Sequence, residues 1–241
     1  MKNKFVLITG ASGSIGQETA IELARQGYSL YLHYHTNKTA IDALMKELQV
    51  FDVEMVPIQA DLSTNEGVEV LCSNIFSINS LVLNSGKAHY GLVSDVDIHT
   101  MNEMMAIHIT SPFFIVQKLL PKLMKEESSS IVAVTSIWGD TGASCEVLYS
   151  MLKGGQNAFV KALSKELAPM GVRVNAVSPG AVETPMLQTF SDDEKQELAD
   201  EIPLGRLAQP EEIAHCIAYL LSNKSSYITG HVLKVNGGWY M

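Results

Sequence analysis

Tyr149 and Lys153 stand four residues apart, a spacing that puts both side chains on one face of a helix. An ammonium beside a phenol favours the phenolate and lowers the tyrosine pKa, which suits proton transfer near neutral pH. The spacing alone carries little weight. The chain has 8 tyrosines and 14 lysines (17 basic residues less three arginines) in 241 residues, so ~0.5 such pairs arise by chance. Tyr34 and Lys38 form a second one. Context separates them. Thr135-Ser136 closes an apolar run 13 positions before Tyr149, and a serine hydroxyl at the carboxyl end of a strand can hydrogen-bond a substrate oxygen. Tyr34 has no such partner upstream.

A second group of residues addresses an anion. The run Phe5–Thr9 leads into Thr9-Gly10-Ala11-Ser12-Gly13-Ser14-Ile15-Gly16, and an amphipathic pattern follows. Glycine lets the backbone turn sharply and approach a ligand. The helix start then offers free N–H groups and a positive dipole end. Between a strand and a helix this is a dinucleotide pyrophosphate site; the alternative is a tight turn that binds nothing. The next strand ends in Leu32-His33-Tyr34-His35-Thr36-Asn37-Lys38. An acid there would bind the ribose 2′-OH of NAD, and none is present. Two histidines, a threonine and a lysine suit a 2′-phosphate instead, so the expected cofactor is NADP(H), with Tyr34, His35, Thr36 and Lys38 around that phosphate. Asp61-Leu62 and Asn84-Ser85-Gly86 follow the third and fourth strands, at carboxyl ends that face the ligand crevice.

These residues need a frame that brings strand ends together. Strands are expected at Phe5–Thr9, Ser29–His33, Met55–Gln59, Ser80–Leu83, Ile131–Thr135, Arg173–Val177 and Val232–Val235. Helices are expected at Ile15–Gln26, Thr39–Gln49, Glu66–Ile75, Met101–Lys125, Tyr149–Met170 and Glu211–Leu220. Repeated β-α units read as an α/β, doubly wound, Rossmann-type parallel sheet of about seven strands with helices on both faces. No composition break or repeat divides residues 1–241, which read as one domain. The stretch from Gly180 to Pro210 reads as irregular, with the acidic run Ser191-Asp192-Asp193-Glu194, and residues 183–210 as a substrate lid.

Bulk properties narrow the classes. The chain is 46% hydrophobic and 18% charged, with net charge -9, which argues for a large core and against a nucleic-acid partner. Cys72, Cys145 and Cys216 are distant and odd in number, so neither disulfides nor zinc is expected and a cytoplasmic setting is. The apolar run after Met1-Lys2-Asn3-Lys4 is too short for a signal or membrane span. No membrane partner and no metal are expected.

Taken together the motifs resemble those of the short-chain dehydrogenase/reductases along nearly the whole chain, from Thr9-Gly10 to Asn236-Gly237-Gly238. Ser136, Tyr149 and Lys153 are similar to that family's catalytic set, Asn84-Ser85-Gly86 to its Asn-Asn-Ala-Gly segment, and Arg173 to Gly180 with Thr184 to its nicotinamide-side segment. Ile202 to Arg206, Pro210-Glu211-Glu212 and Tyr227 to Gly230 resemble the bacterial 3-oxoacyl carrier-protein reductases. The resemblance implies hydride delivery from NADPH to a carbonyl carbon, a proton from Tyr149, Ser136 on the carbonyl oxygen, and Lys153 on the nicotinamide ribose. It places Asp61 and Leu62 at the adenine, and Pro179, Gly180, Val182 and Thr184 at the nicotinamide end. A homodimer or homotetramer is implied, with Trp239-Tyr240-Met241 at a subunit contact or over a neighbour's site.

Two departures stand out. Ser14 takes the place of the middle glycine, with Gly13 one position early. His108, in Ala106-Ile107-His108-Ile109-Thr110, takes the place of the family's catalytic asparagine; histidine titrates near neutral pH and can hold a water. Where carrier-protein reductases place basic docking residues, this chain has Glu127 and Met170, and a like charge repels an acidic carrier. The chain also resembles a Bacillus-type subgroup that reduces a 5-aminopentanone carried on a lysine of elongation factor P. Asp140 and Glu146 are then candidates to attract the substrate's ammonium. Three readings stay open: a 3-oxoacyl thioester reductase, a reductase of a protein-borne aminoketone, and a regulator that binds NADP(H) without turning it over.

Overall fold

A computed structural model describes residues 4–126, 128–187 and 190–241, with Met186 described in its backbone only. Seven parallel strands form one sheet in the order β3-β2-β1-β4-β5-β6-β7. They are β1 (Phe5–Ile8), β2 (Ser29–Tyr34), β3 (Met55–Gln59), β4 (Ser80–Leu83), β5 (Ser129–Val134), β6 (Val172–Pro179) and β7 (Val232–Val235). Each expected strand is present with an end moved by at most two residues. The chain reverses direction across the sheet between β1 and β4, and the ligand crevice of such a fold opens at that switch point.

Alternate strand residues serve two cores. Val6, Ile8, Leu30, Leu32, Val82 and Val132 pack with Ala20 and Leu23 of α1 (Ser14–Arg25), Ile41 and Leu44 of α2 (Lys38–Leu48), and Ile213 and Ile217 of α9 (Pro210–Leu221). Leu7, Tyr31, Leu81 and Ile131 face the other way. They meet α3 (Asn65–Ser73), α5 (Ser111–Leu123) and α7 (Val147–Leu167) through Leu71, Leu119 and Val160. Because both faces are covered, the strands read as continuous apolar runs.

The expected helix Met101–Lys125 is divided. It comprises α4 (Ile98–Met105), a π turn over Ala106–Thr110, and α5. The Ser111 N–H reaches back five residues to the Ala106 carbonyl, one residue more than an α-helix spans. Such single π turns concentrate at functional sites. The stretch expected to be irregular also holds structure. α8 (Asp192–Asp200) starts on a capping box in which the Ser191 hydroxyl accepts the Glu194 N–H and the Glu194 carboxylate accepts the Ser191 N–H. The acidic run is therefore a helix first turn, where carboxylates complement the dipole. Glu127 lies outside the described residues, as do Gln188 and Thr189 of the expected lid. Among the described residues no helix is long and apolar enough to cross a membrane.

Candidate active site

The glycine turn is built by close approach. Gly10 has φ +66, in the left-handed region, where glycine alone is unstrained. A Cβ on Gly16 would lie 2.3 Å from the Gly10 carbonyl oxygen, whereas one on Gly13 would find nothing nearer than 3.6 Å. Gly16 is thus the glycine that lets α1 seat on the turn, and Gly13 serves as a helix N-cap with no side-chain cap. Ser14 is the first residue of α1. The departure from the family pattern falls on a position where the turn needs no glycine.

Side chains from three strands hold that turn. The Thr9 hydroxyl accepts the N–H groups of Asn84 (2.9 Å) and Ser85 (3.0 Å), and the Asn84 amide donates to the carbonyls of Thr9 and Gly10. His33 Nδ1 accepts the Gly10 N–H at 3.0 Å, and Nε2 lies 3.1 Å from the Ala60 carbonyl, to which it donates. His33 is buried, and burial pushes its pKa down to about 4. It is a neutral strut between β1, β2 and β3, not one of the two histidines expected at a 2′-phosphate.

Other expected cofactor contacts also turn inward. The Tyr34 ring belongs to the core. Leu62 is likewise packed in an apolar cluster. Asp61 accepts from Ser63 and lies 3.7 Å from His35 Nε2. His35, Thr36 and Lys38 are exposed, with Lys38 ion-paired to Asp42 at 2.7 Å. Pro179 ends β6, and the Gly180 N–H donates to the Val235 carbonyl. Val182 is buried and pairs with Ala208, while Thr184 is half-buried.

This crevice fits a nicotinamide dinucleotide. The first bond of α1 runs from the Gln17 N–H to the Gly13 carbonyl, leaving the Ser14, Ile15 and Gly16 amides for a phosphate. The buried hydroxyls of Ser85 and Ser178, beyond β4 and in β6, have no hydrogen-bond partner among the described residues. Among the described residues no group of three His, Cys, Asp or Glu could hold a metal ion.

Ser136, Tyr149 and Lys153 converge beyond β5. Ser136 is buried and its Oγ accepts the Trp138 N–H at 3.2 Å. The short helix α6 (Trp138–Thr141) then folds against α7, and a Cβ on Gly139 would lie 2.7 Å from the Lys153 carbonyl carbon. Gly139 therefore brings Ser136 up to Tyr149. Burial raises the Tyr149 pKa, the Glu146 carboxylate adds to this, and a hydrogen bond with Ser136 opposes it. The expected lowering by Lys153 is not found. Lys153 Nζ stands 5.5 Å over the Tyr149 ring centroid and donates to the Val134 carbonyl (2.9 Å) and to Gln156 Oε1 (3.1 Å). Burial lowers its own pKa to about 7.

His108 lies in the π turn, fully buried. Its Nε2 is 3.1 Å from the Lys87 N and 2.9 Å from the Lys87 carbonyl oxygen, and Nδ1 has no partner among the described residues. Burial, followed by the Lys153 charge, depresses its pKa to about 3. It stays neutral where a free histidine would titrate. Gln156 was not singled out in the sequence. Its Nε2 donates to the His108 carbonyl at 2.8 Å, so it links the π turn to Lys153. Its position three residues after Lys153 could have found it.

On the substrate side, Asp140 is occupied. It accepts from Asn157 Nδ2 at 3.1 Å and lies 3.8 Å from Lys234 Nζ. Glu146 is half-buried and, among the described residues, its carboxylate has neither hydrogen bond nor ion pair; burial raises its pKa. Met170 is exposed. Trp239 and Tyr240 pack on Trp138, at centroid distances of 5.3 and 5.6 Å, closing the terminus onto the loop that carries Ser136.

A sheet with a dinucleotide crevice and a Ser-Tyr-Lys cluster at one edge is the arrangement of a nicotinamide-dependent oxidoreductase. The chain belongs to the short-chain dehydrogenase/reductase family. A family model described as Enoyl-(Acyl carrier protein) reductase matches residues 10–240. An uncharacterized oxidoreductase of Bacillus subtilis, YmfI, is 56% identical over 240 residues, 99% of each chain. The 3-oxoacyl-[acyl-carrier-protein] reductase FabG of Staphylococcus epidermidis is 33% identical over 243 residues, covering 99% of this chain and 100% of that one. Among solved structures, a short-chain dehydrogenase/reductase from Brucella melitensis superposes with TM-score 0.92 at 32% identity, over 100% of this chain and 98% of that one. The angucycline C-6 ketoreductase LanV with bound NADP does so with TM-score 0.92 at 27% identity, over 98% and 95%.

Proposed function

We propose that this protein is an NADPH-dependent reductase that converts a ketone to an alcohol, with Tyr149 as proton donor. The observation that carries the reading is the convergence of Ser136, Tyr149 and Lys153 in a setting that keeps the tyrosine protonated. A neutral phenol is the form a reduction requires of its acid. The nicotinamide, when bound, supplies the hydride to the carbonyl carbon. The Ser136 hydroxyl orients the carbonyl oxygen and offsets its developing charge. Tyr149 gives that oxygen its proton, and the Lys153 ammonium beside the ring stabilises the phenolate left behind. NADPH is favoured over NADH by the exposed His35, Thr36 and Lys38 and by the absence of an acid after β2. The exposed Lys38–Asp42 pair contributes little and leaves that ammonium open to a 2′-phosphate. LanV, with its bound NADP, is a relative of the same kind.

Between substrate classes, Glu146 favours a ketone that carries an ammonium group, such as a protein-borne 5-aminopentanone on elongation factor P. A half-buried carboxylate with no hydrogen bond or ion pair among the described residues, three residues before Tyr149, is stabilised by an incoming cation. An acyl thioester on an acidic carrier has nothing to offer it. The test is NADPH oxidation with two substrates side by side, an acetoacetyl thioester and an elongation factor P bearing the aminopentanone. Turnover of the modified protein, lowered by Glu146→Gln, is expected. Turnover of the thioester alone would overturn the aminoketone reading, and turnover of neither, with NADPH still bound, would favour a regulator.

A further inference from the structure

Gln156 is 4% exposed and joins two elements of the site. Its amide orientation is fixed by chemistry. The His108 carbonyl can only accept and the Lys153 ammonium can only donate, so Nε2 faces the π turn and Oε1 faces the lysine. The two distances, 2.8 and 3.1 Å, agree with this. We infer that Gln156 is a positioning residue for the reduction, holding Lys153 protonated and aimed beneath Tyr149 through an amide that the π turn locks in place. The inference rests on the reading of Tyr149 and Lys153 as the reacting pair.

The argument is one of donors and freedom. Lys153 has three N–H donors, of which Val134 takes one and Gln156 one, leaving one for a ligand. Without Gln156 a flexible four-carbon stem would be held at its tip by a single bond. Both acceptors stabilise the ammonium against the burial that lowers its pKa. The remaining titratable groups around Lys153 are Tyr149 of its own helix, Glu146 at that helix's N-cap and His108 of the π turn. On α6, Asp140 is engaged by Lys234 and Asn157. His108 is neutral and Glu146 acts on Tyr149, so Gln156 is the side chain that supports the ammonium directly.

The test uses Gln156→Met, close in volume and without polar atoms, and Gln156→Glu, which keeps an acceptor and adds charge. The first readout needs no cofactor: 13C NMR titration of the Lys153 ε-carbon in the free protein. Gln156→Met is expected to move that titration down by about one pH unit, the tenfold effect of one charge-assisted bond, and Gln156→Glu to move it up. The basic limb of kcat/KM for ketone reduction should follow in both directions, with kcat lowered and KM for ketone little changed. A Tyr149→Phe variant that keeps full turnover would overturn the reading beneath the inference. Loss of turnover there, with the Lys153 titration unmoved in both Gln156 variants, would overturn the inference alone.

Discussion

The rings of His108 and Tyr149 stand perpendicular, centroids 5.8 Å apart and planes at 89°. A Cβ on Gly86 would lie 3.0 Å from His108 Cε1, so the imidazole fills its space between the segment after β4 and the tyrosine. Its depressed pKa keeps it uncharged across the physiological range. The reduction rate should therefore show no His108 inflection near pH 6.5. His108→Ala removes the partner of the Lys87 backbone and should cost about 1–3 kcal/mol of stability, read by denaturant unfolding. An acid limb near pH 6.5 in the wild type that vanishes in the variant would contradict this.

His33 gives a pH dependence of known sign. Its folded pKa is about 4 against an ordinary 6.5, so the unfolded chain takes up the proton first. The stability due to the neutral ring is complete above pH 6.5 and is lost as pH falls toward 4. Between about pH 6.5 and 5 the loss is about 2 kcal/mol. His33→Gln should be less stable at neutral pH yet flatter over that window. Parallel curves for the two proteins would count against the strut.

The glycines of the turn are not equivalent. Gly16→Ala forces a Cβ to within 2.3 Å of a carbonyl oxygen and should cost about 1–3 kcal/mol, with loss of NADPH binding. Gly13→Ala has room and should bind NADPH nearly as the parent does. Thermal melts with and without NADPH separate the two.

Cofactor choice tests the end of β2. Lys38→Ala should lower kcat/KM for NADPH about tenfold and leave NADH nearly unchanged. Equal losses for both would place the 2′-phosphate elsewhere.

Much of this was legible in the chain and some was not. Apolar runs bounded by glycine and polar residues marked the strands, most plainly the central ones that are covered on both faces. Ser136, Tyr149 and Lys153 were legible from order along the chain, since the carboxyl end of β5 and the start of α7 must meet. The π turn was not, because Ala106–Thr110 carries the same apolar rhythm as the helices beside it. His33 and His35 look alike in sequence, yet β2 ends at Tyr34, so His33 is buried within the strand while His35 stands exposed just past its end. The Tyr149 shift was misjudged because spacing reports proximity, whereas the sign came from burial and the Glu146 carboxylate. Ser191 and Glu194 had capping-box spacing and were read as loop acids.

The account centres on Tyr149 as the acid of a ketone reduction, and the most direct measurement is NADPH oxidation by Tyr149→Phe beside the parent, with cofactor binding followed by NADPH fluorescence. Turnover should fall by about 10²–10⁴-fold while NADPH is still bound. Undiminished turnover in the variant would contradict the account.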